Sequence, residues 1–218
     1  MKFCQSIAAA ALMTVVSTSF VEAAPVSFSF TSSAAFQAAL AGQTVVTEGY
    51  ESPAANSTIA NGGILNGLTY SFSNNLPGRI LDDEFNNFGD QSLGSSRTDR
   101  FFFIGESITV TFGASITAFG IFFNINTSDE GVVYATTNLS NTALGSGTLD
   151  IPNSLHFVGL ISDTAFTSVT FGATSAARSG FNVDNLSYVV ARAVPEPGSL
   201  ALASLALFGA AMARRRRP

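Results

Sequence analysis

Between residues 107 and 126 the apolar side chains fall on every second position: Ile108, Val110 and Phe112 share one face, and Phe119, Ile121, Phe123 and Ile125 share another. A period of two matches an extended strand, whose side chains alternate between opposite faces of a sheet, and excludes an amphipathic helix there. Thr167, Val169 and Phe171 repeat the pattern more weakly. From Thr44 onward, short runs of Val, Ile, Thr, Phe and Tyr are separated by Asn, Gly, Ser and Asp, and strands are predicted over 26–30, 68–72, 100–104, 107–112, 116–126, 132–135, 155–161 and 181–190. Asn61-Gly62-Gly63 and Asn66-Gly67 are turn sequences between strands. About ten strands of this length make an antiparallel β-sandwich. One short helix is expected, 34–40, capped by Thr31-Ser32-Ser33 and ended by Gly42. No internal repeat argues for a propeller or solenoid.

The chain has 20 phenylalanines, most of them in these strands, enough to fill the space between two sheets about 10 Å apart. Phe85 and Phe88, by contrast, sit in a polar loop. The stretch 24–193 carries 13 of the 15 acidic residues against five arginines, which puts it near −8 and makes nucleic acid an improbable partner. Cys4 is the single cysteine, so no disulfide supports the fold, and the core must stabilise the domain alone.

The last 25 residues have a different character. Val194-Pro195-Glu196-Pro197 holds two prolines that keep the backbone extended and accessible. An apolar run over 200–213 follows, and then Arg214, Arg215, Arg216 and Arg217. At about 1.5 Å per residue a 14-residue run spans roughly 21 Å, short of the about 20 residues of a permanent transmembrane helix, as suits a temporary anchor. The arginines act as a stop on the cytoplasmic side and place the rest of the chain across the membrane. This three-part tail resembles the PEP-CTERM sorting signal of Gram-negative bacteria. The resemblance implies a motif at 195–197 and a membrane helix at about 199–213. It further implies recognition by exosortase, a membrane-embedded thiol transpeptidase, and delivery to the cell surface or the exopolysaccharide matrix. A plain C-terminal membrane anchor is the alternative.

At the other end, Lys2, an apolar stretch over 7–16 and the small residues Val21 and Ala23 describe a signal peptide, 1–23, cut by signal peptidase between Ala23 and Ala24. Export across the inner membrane follows, and Cys4 leaves with the leader. The expected organisation is signal peptide, β-sandwich domain over 24–193, and sorting tail over 194–218.

Two segments, Val46-Thr47-Glu48-Gly49-Tyr50-Glu51-Ser52 and Gly180-Phe181-Asn182-Val183-Asp184-Asn185-Leu186-Ser187-Tyr188, resemble the end strands of jelly-roll carbohydrate-binding modules. In that family these strands lie side by side, and an acid from each often holds a structural calcium. The resemblance implies that Glu51 and Asp184 do so here, with carbonyls completing the six to eight oxygens that calcium takes; two polar residues on a solvated face is the other reading. Asp82, Asp83, Glu84 and Asp90 form a second dense supply of carboxylates, without the spacing of an EF-hand, and read as a solvated acidic loop.

Enzymatic chemistry finds little material. His156 is the sole imidazole and has apolar neighbours, as a half-buried structural histidine would. No nucleophile elbow, Ser-x-x-Lys, His-Glu-x-x-His or phosphate loop is present, and only a carboxylate pair drawn from Glu48, Glu51, Asp82, Asp83 and Glu84 stays open. Tryptophan, the preferred sugar platform, is absent, and the tyrosines number four. The expectation is an exported structural or adhesive surface protein that is not an enzyme. A calcium-dependent carbohydrate-binding module, with exopolysaccharide as partner, is the alternative.

Overall fold

The computed structural model describes residues 27–82, 89–126, 131–148, 155–175 and 180–192. The elements, in order, are β1 (Ser27–Phe30), α1 (Ser33–Ala39), β2 (Val46–Glu48), β3 (Thr58–Ile59), β4 (Gly63–Leu65), β5 (Leu68–Phe72), β6 (Gly78–Leu81) and β7 (Ser92–Ser95). They continue with β8 (Phe102–Phe103), β9 (Ser107–Asn126), β10 (Gly131–Thr137), β11 (Ser140–Thr148), β12 (Leu155–Ser175) and β13 (Gly180–Val190). Every strand pairing is antiparallel. The 13 strands join in one hydrogen-bonded sheet, along the path β11-β10-β12-β9-β13-β7-β6-β3.

One sheet makes two layers because its two longest strands bend. β9 and β12 pair from Leu155↔Asn124 to Ile161↔Ala118, slip, and pair again from Ser168↔Thr111 to Gly172↔Ser107. Gly113, Ala114 and Ser115, all exposed, lie at the bend of β9. Residues 162–165 lie opposite, at the bend of β12. Before its bend β9 pairs with β5, and after it with β13, so one strand serves both layers. The layers meet through rings. Phe119 stacks on Phe171 at 5.5 Å, Phe123 meets Phe171 edge-on at 6.0 Å, and Phe72 stacks on Phe102 at 5.6 Å. Burying each ring contributes about 2 to 3 kcal/mol, roughly twice the aromatic geometry term of about 0.5 to 1.5 kcal/mol, so the amount of apolar surface covered, more than ring orientation, holds the layers together.

The expected helix is present as α1, with Ser32 as its N-cap: the Ser32 hydroxyl accepts from the Ala35 backbone amide at 3.4 Å. Seven residues are too few to be helical alone, and packing supplies the rest. Gly120 and Gly159 face each other across β9 and β12 on the outer side of the sheet. A Cβ on Gly120 would come within 2.9 Å of the Phe36 ring, and one on Gly159 within 2.8 Å. The paired glycines make the dent into which α1 presses Phe36, which also packs against Phe157 at 5.3 Å. A second, smaller core of Phe36, Leu40, Ala118, Phe157 and Val189 results.

The strand expected over 100–104 shortens to the two residues of β8, because Arg100 takes a positive φ of 67° that ends extended structure. The pairs expected over 107–112 with 116–126, and over 155–161 with 167–171, are single strands of 20 and 21 residues. β2 lies beside β13, as expected of the two end segments, with Glu48 opposite Leu186 and Val46 opposite Tyr188.

Candidate functional site

β13 carries a one-residue bulge. Asp184 is opposite Phe122 on β9 and Ser187 opposite Gly120, so three steps on β13 match two on its partner. The extra residue is Asn185, at φ 48°, a left-handed conformation that asparagine adopts more readily than most residues. Its consequence is a change of parity. Phe181 and Val183 face the main core before the bulge, and Leu186 is buried in it after, with Tyr188 packed against it. Asp184 is left buried on the other face, its Oδ1 accepting from the Asn185 amide at 2.6 Å.

On the neighbouring β2, Glu48 shares the face of Leu186 and is 7% exposed. Its carboxylate accepts from the Tyr50 backbone amide at 2.7 Å and from Asn66 Nδ2 at 2.5 Å. Asn66 also donates to Ser52 Oγ at 2.8 Å. Asn66 and Gly67, at φ 50° and 80°, form the two-residue turn between β4 and β5, which the Asn-Gly pair predicts. Behind Glu48, Tyr50 and Tyr70 meet edge-on at 6.3 Å, both fully buried. Burial holds both phenols above the ordinary tyrosine range, and the negative charge of Glu48 pushes the same way. Tyr188 is raised by the same two causes in the same order.

Glu51 takes a different direction. Its Oε1 accepts from the backbone amides of Asp90 at 2.9 Å and Gln91 at 3.0 Å. Gly89 takes a φ of 90°, a conformation that glycine adopts without strain, and the Glu51 carboxylate packs against its open side, 2.1 Å from where a Cβ would be. Glu51 therefore pins the segment that follows the acidic run, while Asp184 serves the bulge. Their neighbourhoods approach at Gly49, where a Cβ would sit 3.4 Å from Asn185 Oδ1 and 3.7 Å from Glu51 Cγ. Among the described residues no group of three or more His, Cys, Asp or Glu side chains is arranged to hold a metal ion. Asp82, of the acidic run, accepts from Asn56 Nδ2 at 2.9 Å; Asp83 and Glu84 lie outside the described residues. His156 is half-buried on β12, opposite Phe123.

A second arrangement escaped the sequence. Glu106 forms an ion pair with Arg97 and accepts from the Phe103 backbone amide and Asn74 Nδ2, both at 2.9 Å. The Arg97 guanidinium lies 4.3 Å from the centre of the Phe103 ring. Phe103 is 42% exposed, and with Arg97, Thr98 and Asp99 it lines an open hollow. The signal was available: in Phe101-Phe102-Phe103 alternation cannot bury three consecutive rings on one side.

Glu196, the prolines on either side of it, Val194, the arginines 214–217 and the cleavage pair at 23 and 24 lie outside the described residues, as does the apolar run over 200–213. Among the described residues no helix is long and apolar enough to cross a membrane. β13 ends at Val190, and Ala191 donates its amide to the Ser115 carbonyl at 2.9 Å, fixing where the chain leaves the sheet.

The fold defines an antiparallel β domain, which the described chain leaves through Ala191 and Arg192. Residues 193–217 match the PEP-CTERM protein-sorting motif, so the chain carries that sorting signal. Comparison with curated proteins finds no match. Among solved structures, the β domain is similar to the CBM22-1 xylan-binding domain from Paenibacillus barcinonensis, with TM-score 0.41 and 10% identity over 70% of this chain and 97% of that one. A family 29 carbohydrate binding module from Piromyces equi has TM-score 0.36 and 12% identity, over 72% of this chain and 99% of that one. The catalytic domain of a GH87 alpha-1,3-glucanase has TM-score 0.37 and 11% identity, over 72% of this chain and 29% of that one.

Proposed function

We propose that this is an exported surface or matrix protein whose β domain has a structural or adhesive role and whose tail is removed by exosortase after it has held the precursor in the membrane. The observation that carries this reading is the sorting-motif match over 193–217, beginning three residues after the last strand ends at Val190. A tag so placed is presented by the folded domain without an intervening module. In the proposed reaction the enzyme's thiolate attacks the carbonyl carbon of a peptide bond near Pro195-Glu196-Pro197, the C–N bond breaks and the tail leaves as a protonated amine, and the thioester that holds the domain is resolved by an acceptor amine or by water. Replacing those three residues by alanine tests the reading: uncut precursor should accumulate in the membrane fraction, and maturation at the wild-type rate would refute it.

A second reading, carbohydrate binding, is favoured by the hollow around Phe103. The part of the exposed Phe103 ring that the Arg97 guanidinium leaves uncovered offers apolar surface for sugar C–H groups, with Asp99 alongside as a partner for hydroxyls. The tyrosines do not supply such a platform, since Tyr50 and Tyr70 are buried and Tyr134 and Tyr188 half-buried. Pull-down on the host's own exopolysaccharide, with Phe103→Ala as control, tests it: equal retention of both proteins would sink the idea. A structural calcium between Glu51 and Asp184 is proposed on the same footing. The nearness of Asn185 and Glu51 over Gly49 supports it, and the commitment of one oxygen of each acid to backbone amides weighs against it. A melting temperature indifferent to EDTA and to added calcium would rule it out.

A further inference from the structure

The chain leaves the domain from one end of the folded sheet. Val190 is opposite Ile116 just past the bend of β9, Val46 at the start of β2 is opposite Tyr188, and Leu68 after the Asn66-Gly67 turn is opposite Phe112 just before the bend. β1 enters at the same end, with Ser27 opposite Ser162. Val190 thus stands on a small end face between two depressions. One, of about 480 Å³, is lined by Gly42, Gln43, Thr44, Val46, Thr117 and Val190 among others. The other, of about 190 Å³, includes Asn66, Gly67, Gly113 and Ala114.

Two properties set this face apart. In a domain near −8 the described residues leave this face poor in exposed charge: Asp163 and Arg192 are the charged side chains exposed here, while the Glu48 carboxylate lies buried beneath it against Asn66 and that of Glu51 turns away to the Asp90 and Gln91 amides. It also exposes two valines at the exit, Val46 at 39% and Val190 at 43%. A lipid surface would call for a cluster of basic residues, which one arginine does not make. A face poor in charge with exposed apolar side chains is what the centre of a protein–protein contact looks like.

Covalent geometry adds the constraint that names the partner. From Val190 to Pro195 is five residues, at most about 17 Å of chain, whereas a domain of this size has a radius of gyration of about 15 Å and a body roughly twice as wide as that reach. An enzyme acting at the motif has to work against the domain's end face. We infer that the face formed by the α1–β2 loop, the bend of β9 and the end of β13 docks onto the outer surface of the membrane-embedded transpeptidase that cuts the tail. This inference rests on the sorting reading above and adds that the folded domain itself is recognised.

The test uses the full-length precursor in its host membranes and follows cleavage over time. Gln43→Glu with Thr44→Glu places two carboxylates on the face, at exposed loop positions, and cleavage should slow about tenfold as charges are buried against the enzyme. The same two charges placed away from it, Thr58→Glu with Ser71→Glu, should leave the rate unchanged. A ten-residue Gly/Ser spacer between Arg192 and Ala193 should restore cleavage of the Gln43→Glu/Thr44→Glu protein, which also shows that this variant folds. Wild-type cleavage of that variant, while the alanine-substituted motif stays uncut, overturns the docking inference and leaves the sorting reading standing. Loss of uncut precursor, tail included, from the membrane fraction in place of slowed cleavage overturns it in favour of a lipid contact. Normal maturation of the motif variant overturns both.

Discussion

The side-chain amide of Asn66 donates to the buried carboxylate of Glu48 at 2.5 Å, joining the β4–β5 turn to β2 across the mouth of the core. Asn66→Asp keeps the shape and tolerates the positive φ but sets two carboxylates against each other. A loss of about 1 to 3 kcal/mol at pH 7 is expected in urea melts, and stability equal to wild type would contradict the role of this contact.

Alkaline unfolding should begin above about pH 10. Tyr50 and Tyr70 have folded pKa values raised by burial, so above pH 10 the unfolded chain has given up protons that the folded chain keeps. Stability is fully present below the unfolded value and is lost as pH rises toward the folded one, by about 1.4 kcal/mol per pH unit for each such group. Tyr50→Phe should remove one group's share of that slope. A slope identical to wild type between pH 10 and 11.5 would contradict the assignment.

Asn185 should be the most position-sensitive residue of β13. Asn185→Ala forces a Cβ residue less suited to φ 48° and should cost about 1 to 2 kcal/mol, Asn185→Gly less. Deleting Asn185 returns the strand to even pairing and turns Leu186 and Tyr188 outward, so that variant should show no cooperative melt. A deletion that melts like wild type would show that the bulge is not what sets the register.

The long strands were legible because each half keeps one face buried, as in Ile108-Val110-Phe112. Their fusion was not, since Gly113-Ala114-Ser115 reads as a turn and its pairing depends on β12 and β13. β7 was invisible for another reason: Ser92, Leu93, Gly94 and Ser95 are all buried, so no alternation marks it. At the candidate site, the adjacency of the segments around Glu51 and Asp184 could be read, as β2 beside β13. The directions of their side chains could not, because they follow from the bulge at Asn185 and from Gly89. Glu48, one of the acids open for a carboxylate pair, is taken up by the Tyr50 amide and by Asn66, a contact that joins distant segments and leaves no local signal. The sorting tail is the reverse case, a signal carried by composition and order alone.

The central claim is that the carboxy-terminal tail is removed. Intact mass of the protein recovered from the cell surface or medium tests it most directly. The account predicts a species starting near residue 24 and ending near residues 195–197, plus any covalent attachment; a persistent extracellular species that retains Arg214 to Arg217 would contradict it.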